Sequence, residues 1–158
     1  MRRPLPAVLL VLALLLSACG SDDGTPSTPL VCKSDEATYL KALEGAPDEV
    51  LLDGETPISG CIVADHGVGD LSDVGAILVT VATRLNRDAQ QDPGGDAALQ
   101  LGYLVGSVEE GASGTAGVHT DLVRRLNSAA RFSESGEVMP ARFERTYGEG
   151  YAAARDGG

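Results

Sequence analysis

Few side chains in this sequence could do chemistry, and one short acidic stretch holds several of them. Asp65-His66-Gly67-Val68-Gly69-Asp70-Leu71-Ser72-Asp73 sets one imidazole among three carboxylates. Imidazole and carboxylate together suit a divalent cation, and an imidazole beside an acid suits general-base work. The spacing imposes neither role. Asp65 and His66 are adjacent and point apart in regular structure, while Asp70 and Asp73 fall where a helix start would use them as capping residues. The alternating acids and twelfth-position glutamate of a calcium loop are missing. His119, the other of the chain's 2 histidines, precedes Leu122 by three residues. That places it near the inward face of a helix, as a partly buried, hydrogen-bonded imidazole. Tyr147 and Tyr151 share a helix face at four-residue spacing and could line a ligand groove or pack in the core. Asp65, His66, Asp70, Asp73, His119, Tyr147 and Tyr151 are thus the candidates for ligand or metal binding. Capping and core packing are the plainer reading of each.

The usual catalytic patterns are absent. The sequence has no Gly-x-Ser-x-Gly, no Ser-x-x-Lys and no Cys-x-x-Cys-His. Gly67-Val68-Gly69 lacks the third glycine and the preceding strand of a dinucleotide-binding turn. No catalytic residue is identified and no cofactor is implied.

The N-terminus is more specific. Arg2 and Arg3 precede an apolar run of 12 residues, Leu5 to Leu16, which leads into Leu16-Ser17-Ala18-Cys19. Charged segment, apolar segment and small-residue cleavage site in this order make a signal peptide. The run is too short for a membrane span, which needs roughly 20 apolar residues. Leucine, a small residue, alanine and cysteine in sequence resemble the lipobox of bacterial lipoproteins. The resemblance implies cleavage before Cys19, a diacylglycerol on its thiol and an extracytoplasmic location, anchored to the cell membrane or outer membrane. Residues 1–18 then form the signal peptide and residues 19–30 a lipidated cysteine with a flexible Gly-Ser-Asp-Pro-rich tether. Residues 31–158 form one domain.

The chain holds 12 basic and 23 acidic residues; two arginines leave with the signal peptide, so the mature chain carries −13. Such a surface repels nucleic acid and anionic headgroups, which leaves membrane attachment to the lipid. Of the 3 cysteines, Cys32 and Cys61 remain after Cys19 is assigned to lipid. Outside the cytoplasm they are expected to pair, the alternative being two buried thiols; no Cys-x-x-Cys spacing favours redox chemistry.

Helical periodicity dominates the rest. A short helix capped by Ser34 or Asp35 runs to about Glu44. Val50-Leu51-Leu52, closed by Asp53-Gly54, suits a three-residue strand or a buried turn, with extended coil or one helical turn the favoured reading. Thr56 as cap and Pro57 at the first helical position open a second short element. Asp70 caps the strongest helix, with Leu71, Val74, Leu78, Val81 and Leu85 on one stripe and Asp92-Pro93-Gly94-Gly95 as its stop. Asp96 caps the next, to about Glu110. Its Ala98, Gly102 and Gly106 make a small-residue stripe suited to close packing against a neighbouring helix. A helix over about 118–132 and one from about Pro140 follow, the latter weakened by Gly148 and Gly150. The expected fold is mostly α: a bundle of about four main helices with a disulfide-stapled N-terminal region.

The expected function is a cell-envelope lipoprotein with a non-catalytic helical domain for binding or interaction. Its partners would be the membrane, through the lipid, and an envelope protein. A small-ligand or metal-binding lipoprotein is the first alternative, and an envelope hydrolase with an unrecognised site the second. Oligomeric state is not set by the sequence.

Overall fold

The computed structural model describes residues 27–67, 69–132 and 139–157. The expected signal peptide, the expected lipobox, most of the expected tether and residues 133–138 lie outside the described residues. The described chain is mostly helical, as expected, with five α-helices, two 3-10 turns and one two-stranded sheet.

The first 3-10 turn spans Leu30–Lys33. α1 covers Glu36–Leu43, where Asp35 caps the start by accepting from the Thr38 amide at 3.0 Å. The next apolar run corrects the favoured reading of coil or a helical turn and takes the strand alternative. Leu51–Leu52 (β1) pairs antiparallel with Thr56–Pro57 (β2), Leu52 opposite Thr56. The cause is the turn between them: Asp53 and Gly54 both adopt positive φ (54° and 81°), and the Asp53 carboxylate accepts from the Glu55 and Thr56 amides. Thr56 is therefore in the ladder rather than a cap, and Pro57 precedes the second 3-10 turn, Ile58–Cys61.

α2 runs from Asp70 to Gln91, with Val74, Leu78, Val81 and Leu85 buried as the stripe requires. Its cap is Gly69 rather than Asp70; Gly69 sits at φ 89°, a left-handed conformation that suits glycine. α3 (Asp96–Ser113) is likewise preceded by Gly95, with Asp96 as its first residue, where the carboxylate still faces the positive helix end. α4 (Thr120–Ala129) is shorter than the expected 118–132. It ends where the Asn86 side-chain amide donates to the carbonyls of Ala129 and Arg131. α5 covers Ala141–Asp156, preceded by Pro140.

α3 is the hub. Every residue from Leu101 to Val108 is buried, so the middle of the helix is covered on all sides. The small residues explain how. A Cβ on Gly102 would stand 2.0 Å from the Tyr147 carbonyl oxygen, and one on Gly106 2.6 Å from that of Tyr151. From the other side, a Cβ on Gly150 would stand 2.0 Å from the Leu99 oxygen. The α3 and α5 backbones therefore touch directly, the close packing expected of the stripe. At the end of α3, Gly111 lies against the Ser59 carbonyl and so admits the second 3-10 turn. That turn is stapled to the first by the Cys32–Cys61 disulfide, with Cα atoms 5.5 Å apart. Tyr39 seals the staple, donating its hydroxyl to the Cys32 carbonyl at 2.8 Å.

Candidate functional site

Two irregular stretches bring the histidines together. His66 lies between the second 3-10 turn and the start of α2. His119 lies at the end of the α3–α4 connection, which is wound tightly by positive φ at Ala116 (50°) and Gly117 (86°). The winding turns Val118 outward, 55 % exposed, and His119 inward, 1 % exposed. The two rings meet edge to face with centroids 5.0 Å apart, and their Nε2 atoms are 2.7 Å apart.

The protons in this contact follow from its neighbours. Thr115 Oγ1 donates its single proton to the Ala112 carbonyl at 2.7 Å. Its second contact, to His119 Nδ1 at 2.9 Å, must therefore be one it accepts. A neutral His119 then carries its proton on Nδ1 and presents a lone pair at Nε2. His66 donates Nε2–H to that lone pair, which leaves its own lone pair on Nδ1. That lone pair accepts from Thr28 Oγ1 at 2.7 Å. The result is one directional chain: Thr28 to His66, His66 to His119, His119 to Thr115, Thr115 to the Ala112 carbonyl. It spans the segment just before the first 3-10 turn, the loop ahead of α2 and the connection ahead of α4.

The electrostatics agree with neutral rings. Burial holds the His119 imidazole below the ordinary histidine range, and the neighbouring His66 adds to the effect. His66 is also lowered by burial, with the Asp70 carboxylate pulling the other way. A charged imidazole is disfavoured where water is excluded. Asp70 is engaged elsewhere: its Oδ1 pairs with Lys33 Nζ at 3.0 Å, a second clip between the first 3-10 turn and the start of α2.

The seven candidates therefore divide. His66 and His119 meet, with Asp70 close enough to act on His66. Asp65 and Asp73 are exposed and take no part. Among the described residues no three His, Cys, Asp or Glu side chains converge on one metal position. Tyr147 and Tyr151 belong to a different feature, an aromatic stack along α5. Phe132 to Phe143, Phe143 to Tyr147 and Tyr147 to Tyr151 have centroid distances of 4.6, 5.6 and 6.4 Å. Tyr151 donates to Glu109 at 2.5 Å, and Glu109 also accepts from Asn127 at 2.8 Å. The hydrogen bond to Glu109 raises the Tyr151 phenol, and burial raises that of Tyr147. Both are neutral packing residues at neutral pH. A shallow groove of about 340 Å³ lies over Phe132, Met139, Phe143 and Tyr147.

Sequence reasoning missed Thr28 and Thr115. Thr28 was placed in the tether, whose expected range reached residue 30. In the structure Thr28 is 6 % exposed and Leu30 already begins the first 3-10 turn, because the His66 bond and the disulfide hold this segment to the domain. The order Thr28–His66–His119 is that of a nucleophile, a base and a residue orienting the base. Compared with protein-family models, with curated proteins and with solved structures, the chain finds no match.

Proposed function

We propose that the chain is a cell-envelope lipoprotein whose helical domain binds rather than catalyses. The anchoring half of this reading rests on the sequence: the apolar run ending in Leu16-Ser17-Ala18-Cys19 and a tether rich in Gly, Ser, Asp and Pro. No helix among the described residues is long and apolar enough to cross a membrane. The binding half rests on one observation, that the histidine array is closed. All four ring nitrogens are bonded within it, and both threonine hydroxyls are engaged. An acyl substrate would have to reach a Thr28 hydroxyl that keeps little exposed surface.

The clips at Thr28–His66 and Lys33–Asp70, together with the disulfide, fasten the segment from Thr28 to Lys33 to the domain. A lipid on Cys19 would then hold the domain near the bilayer through a tether of only a few residues. Its acidic surface would face cationic or polar envelope partners rather than anionic lipid. In-cell photo-crosslinking of the anchored protein, followed by mass-spectrometric identification of its adducts, tests the reading. A reproducible envelope protein captured with the wild type, and lost when Cys19→Ala prevents anchoring, is the expected result. Self-crosslinks alone would overturn it.

A hydrolase is the second reading, favoured by the Thr28–His66–His119 order. It predicts covalent labelling of Thr28 by an acyl-transfer probe and loss of labelling in Thr28→Val with the fold intact.

A further inference from the structure

We propose that His66 and His119 form a two-imidazole site for a divalent transition-metal ion, copper(II) or zinc. Neither the anchor nor the choice of envelope partner bears on this inference. The chain has only 2 imidazoles, 53 residues apart in sequence, and the fold brings their Nε2 atoms to 2.7 Å from each other. Imidazole nitrogen is a ligand shared by copper(II) and zinc.

The surroundings are those of metal-bound histidine. A ligating imidazole normally donates its other ring N–H to an oxygen, which fixes its tautomer and aims its lone pair. His119 already does this: Nδ1–H donates to Thr115 Oγ1, itself held by the Ala112 carbonyl, and the Nε2 lone pair points at His66. His66 needs one change. Its proton moves from Nε2 to Nδ1 by exchange with solvent, and the Thr28 hydroxyl turns to accept it across the same 2.7 Å contact. The proton shared between the two Nε2 atoms is thereby replaced by the metal, with no net loss of a proton from either ring.

The displacement required falls on His66. Two nitrogens at about 2.0–2.1 Å from a metal, with an angle between about 90° and 109° at the ion, stand roughly 3.0–3.4 Å apart. The separation of the nitrogens grows by only a few tenths of an ångström from 2.7 Å, but an ion on the His119 lone-pair axis lies almost on the line now joining them, so His66 Nε2 must also swing about 2 Å off that line to bind at such an angle. His66 is on an irregular stretch beside Gly67 and is only partly buried, so an ion reaches the pair from its side, while His119 is held. No third His, Cys, Asp or Glu among the described residues completes the sphere. The site is therefore open, with water or an outside ligand in the remaining positions. The overall charge of −11 favours a cation, while Asp70 beside His66 is already paired with Lys33.

The test is titration of the untagged protein, purified and stripped with chelator, using Cu²⁺ as probe. Electron paramagnetic resonance reads the number of bound nitrogens, and competition dialysis with Zn²⁺ gives the affinity. One equivalent of Cu²⁺ bound through two nitrogens is expected. In His66→Ala the signal falls to at most one nitrogen. Thr115→Val keeps both ligands but loses the bond that aims His119, so affinity should fall about 10–100-fold. Circular dichroism confirms that each variant is folded. A wild-type signal with fewer than two nitrogens, or binding unchanged in His66→Ala, would overturn the proposal.

Discussion

Gly148 and Gly150 stand two residues apart on α5, and alanine at the two positions should change stability in opposite directions. At Gly148 a Cβ would meet nothing within 4 Å. Alanine there gains helix propensity of about 0.5–1 kcal/mol without a steric cost. At Gly150 the Cβ would fall 2.0 Å from the Leu99 oxygen, 2.9 Å from its carbonyl carbon and 3.0 Å from the Tyr103 nitrogen. All three are α3 backbone, so no side chain can swing aside. α5 must withdraw by more than about 1 Å to restore ordinary contact, and a gap of that size forfeits up to half of each dispersion contact along the interface. Overpacking costs about 1–3 kcal/mol, and rigid neighbours put this site at the upper end. Net of the propensity gain, Gly150→Ala should destabilise by about 2 kcal/mol, leaving the two variants about 3 kcal/mol apart. Urea denaturation followed by helical circular dichroism measures the difference, provided the m-values agree. If Gly150→Ala is as stable as Gly148→Ala, the direct backbone contact between α3 and α5 is wrong.

Three further outcomes follow from named contacts. Cys32→Ser opens a cross-link of sequence separation 29 and should cost about 3–4 kcal/mol. Equal denaturation midpoints for variant and wild type under oxidising conditions would contradict that. Tyr103→Phe removes the oxygen that accepts from the buried Val50 amide at 3.2 Å. It should destabilise by about 1–3 kcal/mol, read from the same denaturation curves. In metal-free buffer, burial keeps both histidines below their ordinary range, so below about pH 6.5 the unfolded chain binds more protons than the folded one. Stability should be full above pH 7 and fall as pH drops, by at most about 1.4 kcal/mol per pH unit for each histidine. His66→Asn should flatten the fall, and a wild-type midpoint unchanged between pH 7.5 and 5.5 would contradict it.

The helices were legible because their signals are local. The stripe from Leu71 to Leu85 and the Asp92-Pro93-Gly94-Gly95 break need only neighbours in sequence, and α2 follows both. The small-residue stripe of α3 was legible as a close-packing surface. Its partner was not: Gly150 looked like a helix weakness until the Leu99 carbonyl was seen against it. The hairpin at Leu51–Pro57 carried a readable signal in Asp53-Gly54, but its strands are two residues each, too short for alternation to show. The caps at Asp70 and Asp96 shifted by one residue because each follows a glycine free to take the non-helical position. The histidine pair was half legible. The spacing of His119 from Leu122 pointed it inward, but no spacing rule joins positions 53 residues apart. Thr28 was hidden by its composition, since a threonine among Gly, Ser, Asp and Pro reads as tether until something holds it.

The directional bond between His66 and His119 underlies both the closed array and the metal site. Nitrogen NMR of the two imidazoles, in metal-free buffer above pH 7.5, observes it directly. The prediction is a proton on Nδ1 of His119, a proton on Nε2 of His66, and a coupling between the two Nε2 nitrogens across the hydrogen bond. Two rings both protonated on Nε2, with no coupling between them, would contradict it.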